Sequence, residues 1–450
     1  MNPHTGIHFY INIVNFNSII KDEEDKTDEL KHAIHALDTF FSSIENYGKK
    51  NYPITFVVEK ITGSRLHLYV EDTLNLAFEV VKQISVYAYR IAGLINCEIG
   101  KYKTLKDFYI NVGVAFGKFY DFEFKTNDYT ETTTIGYPAN FAAKLQALTH
   151  KGNISISEEI YNALPPEEKK TYQKVSEDSI KKYKQDKYYT AQLISIIPPH
   201  VITAKELNEV GNYANSDNLG DIEFTEVRGL IDFRSLKKTS CKKLNGIPVF
   251  ADVREFTSKF KEDGSNLDEM AKKTQDILTS MYLVTARYDG VHIQFQGDRE
   301  LSLYYDVPDQ TINGRFQRGR TCYKSAVLAS MKMIDAVKSD SIHIGVGEDF
   351  GRIFATKIGA RGEKDNILLG ETVIHADMME DKHAGKDQIA ITRSVYEGLK
   401  KEDKYLADQF QLRGEYYITT IGYQQYQRKL SYLQQEHNTS QKNYNGAWRD

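Results

Sequence analysis

The chain has 450 residues, enough for about two to three ordinary domains, and its hydrophobic fraction of 41 % suffices for real cores. A net charge of −4 and a mean hydropathy of −0.50 describe a soluble protein with no general electrostatic reason to meet nucleic acid or a membrane, and no apolar run reaches spanning length. The cysteines Cys97, Cys241 and Cys322 are scattered, make no metal-ligand spacing, and fit a reduced, cytoplasmic setting.

Residues 7–14 are apolar but short and lack a basic lead, so they read as a first strand rather than a signal peptide. Residues 29–47 follow with an amphipathic helical period. Strand-like runs at 54–60 and 65–70 then flank Gly63, and a second helical stretch covers 74–94. A strand at 108–116 leads through a turn to the helix that begins at Gly136. Residues 153–161 pass from strand to helix with Ser157 at the N-cap. Pro198-Pro199 closes this module, and residues 200–244 read as a connector whose apolar stretch, 224–233, packs against a module. The same order then returns: strand 247–253, helix 266–283, strands 290–296 and 300–305 around a Gly, helix 321–336, strand 342–346, a helix after Gly370, and a strand–helix unit at 388–396 with Thr392 at the N-cap. Self-similarity of this period indicates duplication of one α+β module, with helices on one face of an antiparallel sheet. The expected division is a first domain at 1–197, a linker at 198–245, a second domain at 246–424 and a polar tail at 425–450 that frays from helix into disorder.

The halves differ in a complementary way. The second carries Phe250-Ala251-Asp252-Val253-Arg254-Glu255-Phe256-Thr257, then Gly297-Asp298 on a later hairpin; the first has Asn12 and Ser64 at the matching aspartate positions. The first carries Gly136-Tyr137-Pro138-Ala139-Asn140-Phe141-Ala142-Ala143-Lys144, whereas the second has Ile374 and Met378 where that segment has Asn140 and Lys144. One composite site is the simplest reading, and duplication with complementary loss predicts packing across a pseudo-two-fold axis. An Asp closing a strand is by itself an ordinary cap, and Gly-Asp an ordinary hairpin turn. The ordered set of motifs outweighs those readings.

In that order and spacing the motifs resemble the class III nucleotide cyclases, over both modules. The resemblance implies two ferredoxin-like cyclase domains packed as a pseudo-heterodimer, a nucleoside triphosphate substrate, and two Mg²⁺ or Mn²⁺ ions held by Asp252 and Asp298. The chemistry needs little more than positioning and charge neutralisation. The turn from Val253 to Phe256 and Thr257 offers backbone amides to the β- and γ-phosphates. Asn140 and Lys144, four apart on one helix face, are implied to orient the ribose and to contact the α-phosphate. The family usually has Arg at the latter position, and Lys keeps the charge but loses the planar fork.

Lys60, three before the hairpin Gly, and Thr133, three before the helix Gly, match the family's base-selecting positions. The pair tilts toward adenine or cytosine and away from guanine and uracil. Arg361 and Lys184 fall near the family's phosphate-binding basic residues; Lys184 lies in a run with Lys181, Lys182 and Lys187, and such runs are usually solvated. His375, beside Asp377 in the vacated site, reads as structural. The chain also resembles the pyrimidine cyclases of antiphage signalling, which make cyclic CMP or UMP for a separate effector; cyclic AMP signalling is the rival role. A catalytically silent nucleotide sensor on the same fold is the second reading, with Asn12, Ser64 and Lys144 as marks of decay. A diguanylate cyclase or polymerase palm is disfavoured by the lack of a Gly-Gly-Asp/Glu-Glu/Asp-Phe hairpin.

Overall fold

The computed structural model describes residues 3–432 apart from 73, 75–76, 98–105, 126–129, 176–186, 197–204, 206–207, 213–221, 228, 262–263, 313–314, 318, 340–341 and 360–364. The first half runs β1 (His4–Ile13), α1 (Phe16–Glu23), α2 (Thr27–Asn51), β2 (Phe56–Thr62), β3 (Arg65–Glu71), α3 (Ala77–Cys97), β4 (Ile110–Lys125), β5 (Thr130–Ile135), α4 (Tyr137–Leu148), β6 (Asn153–Ser157), β7 (Gln173–Lys174) and β8 (Tyr188–Gln192). Its sheet order is β2-β3-β1-β4-β6-β8-β7, with β5 paired to the outer part of β4.

The second half begins with β9 (Glu223–Glu226) and β10 (Ser240–Val253), followed by α5 (Leu267–Arg287), β11 (Val291–Gln296) and β12 (Arg299–Tyr305). A small hairpin, β13 (Gln310–Ile312) and β14 (Arg315–Gln317), precedes α6 (Cys322–Val337), β15 (Ile344–Glu348), β16 (Gly351–Ile358), β17 (Asp365–Leu369) and α7 (Glu371–Met378). The half closes with β18 (Gln388–Thr392), α8 (Arg393–Glu402), β19 (Gln411–Arg413) and β20 (Tyr416–Thr419). The order β11-β12-β10-β15-β18-β20-β19 repeats that of the first half, so the molecule is an α+β protein of two like halves.

Period-two alternation builds each half. In β1, Ile7, Phe9, Ile11 and Ile13 point into a core shared with α2 and α3, while His8, Tyr10 and Asn12 take the other face. In β10, Ile247, Val249, Ala251 and Val253 face a core shared with α5 and α6. Each motif helix lies directly on its sheet. A Cβ on Gly113 would stand 2.3 Å from the carbonyl oxygen of Ala142, and one on Gly347 would stand 2.1 Å from the backbone nitrogen of Glu380.

The halves meet through matched contacts. The backbone N–H of Ile61 donates to Asp365 Oδ2 at 2.6 Å, and that of Phe295 donates to Glu131 Oε1 at 2.8 Å. In each case the acid precedes its helix Gly, and the amide its hairpin Gly, by the same offset, which is the signature of a pseudo-two-fold axis. The contact is reinforced by Asp38 on α2, which accepts from Lys238 Nζ at 2.9 Å and from the backbone N–H of Gly359 at 3.0 Å.

Several expectations need correction. β4 runs well beyond residue 116, because its outer part finds a new partner in β5. Strands β5, β8, β16, β17 and β20 were not legible from periodicity. The sheets are not purely antiparallel, since β4–β6, β15–β18 and β9–β10 run parallel. Ser157 and Thr392 sit at N-cap positions but make no capping hydrogen bond; the Thr392 hydroxyl goes to Asp349 instead. Within the segment read as connector, β9 pairs with β10, and β10 itself begins at Ser240. Among the described residues no helix is long and apolar enough to cross a membrane.

Candidate active site

Asp252 lies at the end of β10, opposite Arg299 of β12 and Gly345 of β15, and its side chain keeps 28 % exposure. Asp298 follows Gly297, whose φ of 70° lets the β11–β12 hairpin turn tightly. Burial, then the charge of Asp298, pushes Asp252 up to about 7; burial likewise raises Asp298 to about 7, against the pull of Lys144. The basic groups behind the pair are already committed. Arg254 Nη2 donates to the carbonyl oxygens of Glu380 at 2.6 Å and Ala384 at 2.8 Å, and Nη1 stands 3.5 Å from Asp252 Oδ2. Arg299 lies over the Phe250 ring at 4.2 Å and pairs with Asp377 and with Glu380, the latter at 2.7 Å. Glu380, only 2 % exposed, thus bridges both arginines, and burial raises its carboxyl to about 8.

The first half closes the site from the opposite side. Asn140 Oδ1 lies 3.3 Å from where a Cβ on Gly297 would stand, directly above the Asp298 hairpin. Lys144, half-buried on the same helix face, is close enough to depress Asp298. Tyr10 is also within electrostatic range of Asp298; its phenol is raised by burial first and by Glu59 and Asp298 after it.

Lys60 and Thr133 sit beside each other's strands with different degrees of engagement. Lys60, 2 % exposed, gives one N–H to Glu131 and one to the carbonyl oxygen of Phe295 at 2.6 Å. An ammonium has three donors, so one is left over by its partners among the described residues. Burial alone would lower its pKa, but Glu131 and Glu59 raise it. The Thr133 hydroxyl is fully buried and has no hydrogen-bond partner among the described residues. Behind them Glu59 accepts from the Thr134 backbone N–H at 3.0 Å and contacts His67 Nδ1 at 2.7 Å.

The phosphate-facing expectations divide. Phe256 is buried edge-on against Phe260, ring centroids 5.2 Å apart, so only its backbone is available, and Glu255 before it turns the chain with φ 57°. The N–H of Arg254 is spent on the carbonyl oxygen of His343 at 2.8 Å. Thr257 opens a 3₁₀ turn, Thr257–Lys259. Arg361, Lys181, Lys182 and Lys184 lie outside the described residues; Lys187 sits 3.9 Å from Glu158.

The matching site on the other side of the axis has lost its acids, and what replaced them bond each other: Ser64 Oγ donates to Asn12 Oδ1 at 2.8 Å. A cavity of about 80 Å³ remains there, lined by Ser64, Arg65, Gln294, Arg299, Ile374 and Asp377 among others. His375 stands 3.3 Å from Asp349 and 3.4 Å from Glu371.

Sequence reasoning missed Glu380, Glu131 and Tyr10. Glu131 left a signal, since an acid stands five residues before the helix Gly in both halves. Glu380 left none, because its counterpart in the first half is Gln146, which bonds Asn111.

Residues 245–430 match the family model for the adenylate and guanylate cyclase catalytic domain. A uridylate cyclase from Pseudomonas aeruginosa is 22 % identical over 293 residues, which cover 61 % of this chain and 54 % of that protein; the chain thus spans about half the length of that relative. A solved class III adenylyl cyclase-like ATP-binding protein, also from Pseudomonas aeruginosa, has a TM-score of 0.72 at 17 % identity, over 95 % of this chain and 90 % of that one, so the shared fold takes in both halves. Residues 245–430 thus match the adenylate and guanylate cyclase catalytic-domain family, and the chain as a whole has the fold of a class III cyclase-like protein, with two cyclase-like halves in one polypeptide.

Proposed function

We propose that the chain converts a nucleoside triphosphate to its 3′,5′-cyclic nucleotide and pyrophosphate at one composite site between the halves. The observation that supports this most directly is the meeting of Asp298 with Asn140 and Lys144 across the interface. The reaction requires the 3′-oxygen to attack the α-phosphorus in line while charge grows on the leaving pyrophosphate. Asp252 and Asp298 are the residues that would hold two Mg²⁺ or Mn²⁺. They suit that task, because burial, joined at Asp252 by the charge of Asp298 and at Asp298 by that of Glu380, raises both to about 7, and a dication relieves these effects. Bound ions would supply acidity to the 3′-hydroxyl and neutralise phosphate charge. Asn140 orients the ribose, and the Lys144 ammonium meets charge developing at the α-phosphate.

Thr133 and the remaining donor of Lys60 meet the base edge. A hydroxyl both donates and accepts, so it serves an exocyclic amino group or a carbonyl equally. This widens the expected base from adenine or cytosine to include uracil, in keeping with the relative named a uridylate cyclase. Cyclic CMP or UMP made for a separate effector in antiphage defence is the role this reading favours over cyclic AMP signalling. Incubation of the purified chain with each of the four triphosphates and Mg²⁺ or Mn²⁺, with products separated by mass, tests it. One cyclic nucleotide that disappears in Asp252→Ala is expected. Tight triphosphate binding without product under any metal would instead support the silent sensor, the reading in which Asn12, Ser64 and Lys144 are marks of decay.

A further inference from the structure

Under the outer part of β4 the two halves differ in kind. The strand registers make the equivalences explicit. His4 faces Phe119 as Leu244 faces Ile353, Gly6 faces Gly117 as Gly246 faces Gly351, and Gly6 faces Glu71 as Gly246 faces Tyr305. Asp121, next but one after Phe119, therefore matches Ala355, and Tyr69 matches Leu303. In the second half this layer is an ordinary apolar cluster that includes Leu244, Leu303, Tyr305, Ile353 and Ala355. In the first half the same positions hold His4, Tyr69, Glu71, Phe119 and Asp121. A fold that closes the layer with apolar side chains does not need ionisable ones there, and such groups are costly to desolvate.

At the rim of the layer, His4, Glu71 and Asp121 each offer a ligand atom within 4.8 Å of the other two. His4 Nδ1 stands 3.2 Å from Glu71 Oε1, and the imidazole is steadied by stacking on Phe119 at 5.6 Å. The Tyr69 hydroxyl donates to Asp121 Oδ2 at 2.8 Å and so orients that carboxylate. Its other oxygen, Oδ1, is buried and has no hydrogen-bond partner among the described residues. The His4 and Glu71 side chains keep 38 % and 39 % exposure, which leaves a route from solvent.

We propose that His4, Glu71 and Asp121 bind a first-row divalent cation of the zinc type, separate from the Asp252–Asp298 pair. One imidazole and two carboxylates favour such an ion over Mg²⁺, which prefers oxygen ligands and keeps its waters. The site lies at the far end of β1 from Tyr10, the residue beside Asp298, roughly 20 Å of strand away. Its role follows from the ligands' strands. His4 is on β1 and Glu71 on β3, but Asp121 is on the part of β4 that has left β1 and pairs with β5. The cation ties that arm, which carries Glu131 and Thr133, to the main sheet.

The test uses the untagged full chain with Asp252→Asn and Asp298→Asn, so that the catalytic acids do not contribute. Titration with Co²⁺ in millimolar Mg²⁺, followed by its visible absorption and by calorimetry, should show one tightly bound ion per chain. Zn²⁺ should displace it and raise the melting temperature. Adding His4→Leu and Asp121→Ala, the residues the second half carries at these positions, should abolish both the binding and the thermal shift while the far-UV circular dichroism stays unchanged. Absence of Co²⁺ binding in the parent, or its survival in the His4→Leu/Asp121→Ala chain, would overturn the proposal. Neither result depends on cyclase activity.

Discussion

Glu131→Gln tests how the two halves are held in register. Glu131 takes Lys60 on one side, His292 Nε2 at 2.9 Å on the other, and the Phe295 backbone N–H between them. All three ionisable groups are almost fully buried, with side-chain exposures of 3 %, 8 % and 5 % for Lys60, Glu131 and His292. Burial alone would raise Glu131 and lower His292. Lys60 and His292 instead hold Glu131 down to about 2, and Glu131 with Glu300 lifts His292 to about 9. A shift of that size from an ordinary histidine corresponds to on the order of 3 kcal/mol, within the ~3–5 kcal/mol expected when one partner of a buried ion pair is removed. The glutamine keeps an acceptor for Phe295 but takes the nearest countercharge from two buried cations, leaving His292 with Glu300 at 3.2 Å and Lys60 with the more distant charge of Glu59. Urea unfolding at pH 6, followed by far-UV circular dichroism because the lone Trp448 sits in the tail, should show a loss of about 3–5 kcal/mol, with part regained in Glu131→Gln/Lys60→Met. The pH dependence has a definite sign. The Glu131 contribution is present above its unfolded pKa and is lost as pH falls through about 2. The His292 contribution is complete below its unfolded pKa and is lost as pH rises through about 9. A loss under about 1 kcal/mol, or strict additivity with Lys60→Met, would refute the network.

Lys144→Ala should lower kcat about 10²–10³-fold with little change in KM, and Lys144→Arg should retain or raise kcat; a change confined to KM would place Lys144 in ground-state binding only. Mn²⁺ should bind more tightly at pH 8 than at pH 6, because protons compete for Asp252 and Asp298 up to about 7; equal affinities would contradict the shared-site picture. Both acids have folded pKa values above their unfolded ones. The metal-free chain therefore loses stability as pH rises through about 7, and Mn²⁺ should reverse that loss in thermal melts. Gly347→Ala should cost about 1–3 kcal/mol and reduce activity, since the new Cβ meets the backbone of Glu380 and displaces the carboxylate that holds Arg254 and Arg299; an unchanged melting temperature would rule this out.

The motif positions were legible because they are linear facts. Asp252 ends an alternating apolar strand, Asp298 follows a hairpin glycine, and Asn140 and Lys144 share a helix face. Such local patterns survive in one dimension because strand and helix periods are local properties of the backbone. The duplication was legible for the same reason, and with it the expectation of a composite site. The bent arm was not. Nothing local in residues 110–125 marks Phe119 as the point where β4 exchanges β1 for β5, since an alternating strand looks alike whichever neighbour it pairs with.

Partnership of charges likewise belongs to the tertiary structure. Lys60 reads as a strand-end lysine until Glu131 and Phe295 arrive from distant segments, and Glu380 reads as a helix-end acid until both arginines close on it. Which polar groups are desolvated together depends on how the two sheets face each other, and that arrangement is not written in any single window of the chain. The sequence by itself determined the repeated α+β order, the complementary loss of site residues and the types of group available. The fold decided which of them meet, because burial and Coulombic coupling depend on distance in space rather than along the chain.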